Sequence, residues 1–304
     1  MERKYMGIII LAVILAAATY YLLGTDGKEV LRISTTTSLE DTGLLEEVEA
    51  AFEEKYPDID VQIVSGGTGI ALERGKKGDA DLLIVHDKKR EEEFIADGYG
   101  IKRYPFAYNY FYIIGPRDDP AGVNGSSSAT EAFSKILKAA EKDPQHVKFV
   151  SRGDNSGTHT REIKIWKNIT DYNSTVRGSD WYIESGSGMG DTLRLADQKG
   201  AYTISDSGTY LAYRSNITLV PYITSGSELL NVYSAIAVNP EKVRGVNRDA
   251  AEKFIEFLLS DECQKLISEY GKKQYGTPLF MTLPGGRDPA EYQIQGHTSP
   301  TEAT

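Results

Sequence analysis

The sequence has little of the residue types that build several common kinds of functional site. Its 304 residues include one cysteine, Cys263, so no disulfide can form within the chain. The four histidines fit neither the H-E-x-x-H pattern nor any other spacing typical of a metal site. We therefore expect a protein without a structural disulfide, a bound metal or a cofactor.

Positive charge is also in short supply. The chain has 34 Lys and Arg residues against 44 Asp and Glu residues, a formal net charge of −10. No stripe of basic residues is available to neutralise phosphates, which argues against nucleic acid as a partner. The sequence is 40% hydrophobic and 26% charged, which is typical of a globular protein. An anion site in this protein would have to rely on local hydrogen-bond donors.

Only one long apolar run is present, and it lies near the N-terminus. It extends from Met6 to about Gly24 and follows the basic residues Arg3 and Lys4. This pattern predicts that residues 1–28 form a signal peptide or an uncleaved N-terminal membrane anchor. No cysteine lies directly after the run, so we do not expect a lipoprotein anchor. We expect the rest of the chain to be extracytoplasmic, attached to the cell membrane or secreted.

Between the ends, short β-rich runs alternate with helical patterns. Helices are predicted, for example, at residues 42–56, which stop before Pro57, and at residues 248–270. Such alternation predicts a mainly parallel α/β architecture. Cys263 falls in the second of these helices, where we expect it to be packed in the core.

Two long β runs, residues 109–115 and 233–238, are separated by more than a hundred residues. They are suited to be the crossings between two lobes. Lobe 1 would comprise residues 29–112 plus 233–285, and lobe 2 residues 113–232. The remainder, residues 286–304, lacks an apolar period and is predicted to be a flexible C-terminal tail.

Four junctions that lead into predicted helices are rich in Gly, Ser and Thr. They lie at residues 34–38, 65–69, 151–162 and 185–190. A helix start offers unpaired backbone N–H groups and a positive dipole end, which favour an anion. Each junction alone could be an ordinary cap or tight turn. Together, with an arginine in the third, they indicate a dehydrated anion cleft, because each buried oxygen of an anion must receive donors.

At these motifs the sequence resembles the tungstate-binding proteins of ABC uptake systems. The matching stretches include Thr-Thr-Thr-Ser at 35–38, Gly-Thr-Gly-x-Ala-Leu-Glu at 67–73, Val-His at 85–86 and Ser-Arg-Gly-Asp-Asn-Ser-Gly-Thr-His at 151–159. The similarity extends from about residue 31 to 280. It implies a type II periplasmic-binding-protein fold, with two lobes, a hinge and a ligand cleft between them.

The resemblance also implies a set of ligand-binding residues and a set of partners. The ligands from lobe 1 would be Thr35, Thr36, Ser38 and Thr68, and those from lobe 2 would be Arg152, Ser156 and Thr158. Arg152 would be the cationic clamp, whereas Ser187 departs from the pattern and is left out. The protein would be a monomer that captures tungstate, and also molybdate, for the permease of an ABC importer.

A phosphate-binding protein is the main alternative, because Arg-x-Asp-x-Ser-Gly-Thr at 152–158 is similar to a phosphate-binding element. Hydrogen phosphate needs one acceptor, whereas a fully deprotonated oxyanion needs only donors. Our hypothesis is that Asp154 orients Arg152 instead of facing the ligand. Two further alternatives are an enzyme with a Ser156–His159 pair, which no G-x-S-x-G elbow supports, and a surface adhesion protein that uses Arg-Gly-Asp at 152–154.

Overall fold

The computed structural model describes residues 27–287. The expectations for the signal peptide or anchor at 1–28 and for the tail at 286–304 lie almost wholly outside this range. Within it, no helix has the length and apolar character needed to cross a membrane.

The described chain folds into strands and helices that alternate for most of its length. The strands are β1 (Glu29–Thr36), β2 (Ile59–Gly66), β3 (Leu82–Val85), β4 (Gly100–Gly115), β5 (Phe149–Ser151), β6 (Tyr182–Glu184), β7 (Thr203–Asp206), β8 (Val220–Ile223), β9 (Leu230–Val238) and β10 (Met281–Thr282). The α-helices are α1 (Thr37–Glu40), α2 (Leu44–Lys55), α3 (Thr68–Lys77), α4 (Lys88–Ala96), α5 (Ala129–Lys142), α6 (Gly157–Lys167), α7 (Met189–Lys199), α8 (Ser207–Tyr213), α9 (Arg248–Leu259), α10 (Asp261–Glu269) and α11 (Lys272–Tyr275).

The central sheet is mixed, so the prediction of a mainly parallel sheet was wrong. Its order is β10-β4-β9-β3-β1-β2. Strand β1 runs parallel to β2 and β3, whereas β9 runs antiparallel to both β3 and β4. The reason is that β9 returns from the second part of the chain and enters the sheet in the opposite direction. A β-rich sequence pattern indicates a strand, but it does not show whether that strand pairs parallel or antiparallel to its neighbours.

Strand β4 joins two parts of the molecule. Its residues up to Tyr110 pair with β9, and its last residues, from Phe111 to Gly115, pair with β7 and β8. We call β1–β3 with α1–α4 the first part, and β5–β8 with α5–α8 the second part. The strand begins at Gly100, earlier than predicted, because Pro105 is tolerated beside a shift in the β4–β9 register.

The second part has a core of aromatic rings beneath α6. The Trp166 ring lies 4.5 Å from that of Phe133, 5.3 Å from that of Phe149 and 5.8 Å from that of Trp181, measured between centroids. Aromatic pairs at these separations are favourable beyond their burial of apolar area. This packing fixes the helix whose N-terminus carries the predicted second-lobe residues.

One predicted helix is interrupted, and another begins later than expected. The helix expected at 248–270 is split into α9 and α10 at Ser260, an extended residue whose hydroxyl accepts from the Cys263 amide. Cys263 itself is buried, as expected. The helix expected at 42–56 begins at Leu44, after Gly43 with φ 75°, and the short α1 precedes it. The Ser and Thr residues at 34–38 therefore form the end of β1 and the start of α1, and they do not lead directly into the longer helix α2.

Candidate anion-binding site

The hydroxyls of residues 35–38 lie at the end of β1 and the start of α1. Thr35, Thr36 and Ser38 are all buried. The Thr35 hydroxyl donates to the Ile84 carbonyl at 2.9 Å, so its proton is already used within the sheet. The Thr36 and Ser38 hydroxyl oxygens lie 3.3 Å apart. Of the three, Thr36 and Ser38 remain suited to contact a guest, and the expectation that the Thr35 hydroxyl does so is not supported.

His86 lies directly behind Ser38. Its Nε2 is 3.2 Å from the Ser38 hydroxyl, and its Nδ1 is 2.8 Å from the side-chain oxygen of Asn231. Burial lowers the pKa of His86 to about 4, although the hydrogen bond to Asn231 acts in the other direction. The ring is therefore neutral at neutral pH in the empty protein.

The start of α3 supplies the second group of donors. Thr68 is its first residue, is fully buried, and has a hydroxyl without a hydrogen-bond partner among the described residues. A Cβ on the preceding Gly67 would lie 3.5 Å from the Asp154 carbonyl oxygen and 3.7 Å from the Ser156 Cα. This helix start therefore contacts the loop at 154–156 in the second part of the molecule.

Arg152 bridges the two parts. Its side chain is 3% exposed. Its Nη2 donates to the Thr37 hydroxyl at 3.0 Å and also to the Asp154 carboxylate. The other oxygen of Asp154 accepts from the Ser156 amide at 3.1 Å. Asp154 thus holds the guanidinium, as hypothesised, while the Arg152 Nε is buried without a partner among residues 27–287.

The start of α6 completes the cluster. Ser156 caps the helix by accepting from the His159 amide at 3.2 Å, which leaves its own hydroxyl proton available. The Thr158 hydroxyl is buried and, within the described chain, has no partner. Gly157 lies against His86, because a Cβ on it would be 2.7 Å from the imidazole Cε1. The close approach of α6 to His86 therefore requires glycine.

Contacts made by the neighbouring residues Thr37, Gly67 and His86 thus bring the predicted first-lobe and second-lobe residues together. Three donors in this cluster lack partners: the hydroxyls of Thr68 and Thr158 and the Nε of Arg152. A buried polar group left unpaired costs about 1–3 kcal/mol, so three in one cluster indicate a guest that supplies acceptors. Two of the three lie in the first turn of a helix of ten or more residues, where backbone N–H groups add further donors.

The cluster is closed, as a small guest requires. A groove of about 820 Å³ runs along α3 and α4. It meets the cluster only at its edge, near Gly67, Asp154 and Asn155. Burial raises the pKa of the neighbouring Asp206 to about 6 and also raises the pKa of Asp41. These shifts show how little water reaches this region.

Several contacts were missed from the sequence. Thr37, which bonds Arg152, and His86, which bonds Ser38, belonged to matching motifs but were not included as site residues. Arg90 of α4 donates to the Asn155 carbonyl at 2.9 Å, and Asn155 has a φ of 60°. A positive φ is uncommon for residues other than glycine. The contact joins residues 65 positions apart, and no sequence pattern predicts such a pair.

The other sequence candidates lie differently. The Ser187 hydroxyl donates to the Ser185 carbonyl at 3.1 Å, in agreement with its omission from the site. The His159 ring accepts from the Asn155 amide through Nδ1 and does not bond the Ser156 hydroxyl, so these two residues do not form a nucleophile–base pair. Among residues 27–287 there is no group of three or more His, Cys, Asp or Glu side chains placed to hold a metal ion.

Comparison with known proteins identifies the family to which the chain belongs. Residues 24–262 match the model of a PBP superfamily domain. The chain is 42% identical to the tungstate-binding protein TupA of Peptoclostridium acidaminophilum over 257 residues, which cover 84% of this chain and 86% of the relative. These relatives are binding proteins and not enzymes.

Two solved structures extend the likeness to three dimensions. The crystal structure of the tungstate ABC transporter from Geobacter sulfurreducens is 40% identical with a TM-score of 0.68, over 80% of this chain and 99% of that one. The tungstate-binding protein TupA from Desulfovibrio alaskensis G20 is 38% identical with a TM-score of 0.70, over 84% of this chain and 99% of that one. The mixed α/β fold is therefore that of a periplasmic binding protein, and the chain belongs to the PBP superfamily, in the family of the tungstate-binding proteins.

Proposed function

We propose that this protein captures tungstate outside the cytoplasm and delivers it to the permease of an ABC importer. The observation that carries the proposal is the closed cluster of unpaired donors on Thr68, Arg152 and Thr158, contributed by both parts of the molecule. These three unpaired donors fit an anion whose oxygens are all deprotonated. The names of the relatives supply the identity of the anion.

The ligand contacts that we propose are the hydroxyls of Thr36, Ser38, Thr68, Ser156 and Thr158 together with the Arg152 guanidinium. Thr35 stays outside this set because its hydroxyl proton is given to Ile84. Arg152 supplies hydrogen-bond donors in a fork that suits tetrahedral oxyanions. Helix starts supply most of the remaining donors.

The state of Asp154 favours tungstate over phosphate. Hydrogen phosphate carries a proton that must be accepted, and a carboxylate facing the cleft would accept it. Here both carboxylate oxygens of Asp154 are engaged, one by Arg152 and one by the Ser156 amide. The carboxylate therefore acts on the guanidinium.

We also keep the predicted division into lobes as a proposal, with residues 29–112 plus 233–285 in lobe 1 and 113–232 in lobe 2. It is supported by the change of partner strand in β4 between Tyr110 and Phe111. The protein would act as a monomer and be attached to the membrane through residues 1–28, or be released after their removal.

Parallel calorimetric titrations of the purified protein with tungstate, molybdate, phosphate and sulfate test the proposal. We expect one tungstate per chain, competition by molybdate, and no displacement of tungstate by an excess of phosphate or sulfate. Tight binding of phosphate with no heat from tungstate would support the phosphate-binding alternative instead.

A further inference from the structure

The hydrogen bonds behind Ser38 have a defined direction. The Asn231 amide nitrogen donates to the Asn109 side-chain oxygen at 2.8 Å and to the Tyr233 hydroxyl at 2.9 Å. The Asn231 oxygen therefore faces His86 Nδ1, 2.8 Å away, as an acceptor. It follows that Nδ1 carries the imidazole proton, and that Nε2 of the neutral ring has only a lone pair to offer.

This direction determines what Ser38 and Thr36 can do. A hydroxyl has one proton, and Ser38 must give its proton to His86 Nε2 at 3.2 Å. The 3.3 Å contact between Thr36 and Ser38 then requires Thr36 to be the donor. In the empty protein, both protons thus point along a chain that ends at His86. A fully deprotonated oxyanion would meet oxygen lone pairs at these two positions.

We propose that His86 is a positioning residue that takes up one proton at Nε2 when the oxyanion binds, and thereby turns the Ser38 and Thr36 hydroxyls toward the guest. The proton comes from solvent and adds to the Nε2 lone pair, so the imidazole becomes a cation with both nitrogens donating. Nδ1 keeps its bond to Asn231, and Nε2 now donates to the Ser38 oxygen. This inference rests on the proposed function.

The charges around His86 fit this role. Arg152 and Arg161 lower its pKa and Asp87 raises it, while burial has the largest effect and keeps the empty form neutral. The nearest rings are uncharged: the Tyr233 ring at 5.0 Å and the Phe111 ring at 6.2 Å between centroids, beside the backbone of Gly157. His86 also lines a groove of about 440 Å³ whose wall carries four lysines, Lys88, Lys89, Lys164 and Lys167. Their positive charges disfavour the protonated imidazole in the empty protein.

A bound dianion would raise the pKa of His86. The charge of Arg152 is already paired with Asp154, so those two groups offer the guest no net positive charge. A dianion in contact with Ser38 would place two negative charges near the imidazole and favour its protonated form. A single proton on His86 Nε2 therefore has two effects. It turns the Ser38 and Thr36 hydroxyls toward the guest, and it adds a positive charge that compensates the dianion.

Calorimetry with tungstate in buffers of different ionisation enthalpy measures the proton directly. At pH 6.5 we expect the full wild-type chain to take up about one proton per tungstate, and His86→Gln to take up none. The glutamine amide can donate to Ser38 permanently, so we expect this variant to retain tungstate binding. Because the bound wild type holds one more proton, its dissociation constant should rise by up to about tenfold per pH unit toward pH 8, and that of His86→Gln should stay flat.

Three further variants locate the proton. His146→Gln removes an exposed imidazole that bonds only Asp143 among the contacts described, and it should behave as wild type. Asp206→Asn and His159→Gln remove two other titratable groups near the cluster and should retain the uptake. Loss of uptake in either of these, or its persistence in His86→Gln, would overturn the proposal. Wild-type binding without any proton uptake overturns this inference alone, whereas no wild-type binding of tungstate overturns the proposed function.

Discussion

At the scale of single residues, the cluster contains polar atoms that the empty protein leaves without partners. The Thr158 hydroxyl is the clearest case, because the residue is 1% exposed and its oxygen has no hydrogen bond within the described chain. Such a group destabilises the empty fold and becomes useful only when a guest arrives. Stability and affinity should therefore respond in opposite directions to its removal.

We expect Thr158→Val to raise the free energy of unfolding of the empty protein by about 1 kcal/mol and to weaken tungstate binding by about tenfold. Urea unfolding and calorimetry measure the two effects. Thr203→Val is the matched control, because the Thr203 hydroxyl is buried but donates to the Val150 carbonyl at 2.8 Å. The control should lose stability and keep its affinity. A destabilised Thr158→Val with unchanged binding would remove Thr158 from the site.

The single guanidinium of the cluster should matter most for affinity. We expect Arg152→Ala to weaken tungstate binding by about 2–5 kcal/mol, because a desolvated dianion loses its charged partner while Asp154 stays behind unpaired. Arg248→Ala, which removes an exposed guanidinium paired with Glu252 on α9, should leave binding unchanged in the same titration. A loss below about 1 kcal/mol for Arg152→Ala would show that this arginine does not touch the guest.

At the scale of elements, the sequence predicted where helices start better than how strands are paired. Gly and Ser residues mark the starts of α3 and α6 because they cap a helix or let its backbone come close to another group. The interruption at Ser260 was missed because the apolar period continues across it. The antiparallel direction of β9 was missed because a strand pattern carries no information about its neighbours.

Because sequence patterns are local, they could point to some candidate site residues and not to others. Thr68, Arg152, Ser156 and Thr158 lie in motifs at helix starts, and the resemblance of these motifs to a known family was sufficient to propose them. His86 follows a strand as an isolated histidine, and its bond to Asn231 spans 145 residues. Only the fold brings such a pair together, and the same is true of the contact between Arg152 and Thr37.

The contact between α6 and His86 provides a test at this scale. In Gly157→Ala the new methyl would lie 2.7 Å from the imidazole, so α6 must move away from the first part of the molecule. We expect tungstate binding to weaken by at least about tenfold, since donors at the helix start lose their alignment. Gly188→Ala, at the start of α7 with no atom within 4 Å of the new methyl, should bind tungstate as wild type does. Equal affinities for the two variants would contradict the close approach.

At the scale of the whole molecule, contacts outside the cluster hold the two parts together. Arg90 on α4 donates to both the carbonyl and the side-chain oxygen of Asn155, which belongs to the loop that carries Asp154 and Ser156. This bond is made only when the two parts are in contact. It therefore favours the closed form without touching the guest.

We expect Arg90→Ala to accelerate the release of tungstate by about fivefold and to change its association rate much less, because the variant loses a hydrogen bond of the closed form. Stopped-flow displacement with excess molybdate measures the release rate. Lys89→Ala changes the neighbouring residue, which is 85% exposed and pairs only weakly with Glu93 on its own helix, and it should release tungstate at the wild-type rate. An unchanged rate for Arg90→Ala would mean that this contact does not limit opening.

The aromatic core of the second part gives the molecule a built-in optical probe. The chain has two tryptophans, Trp166 and Trp181, and both rings lie in that core. Trp166 also donates through its indole nitrogen to Glu162 on α6, the helix whose first turn would hold the anion. Tryptophan emission, excited selectively over that of tyrosine, therefore reports on one side of the cleft alone. A change in emission on adding tungstate would come from strain within that side, whereas a rigid rotation of it would leave the spectrum as it was.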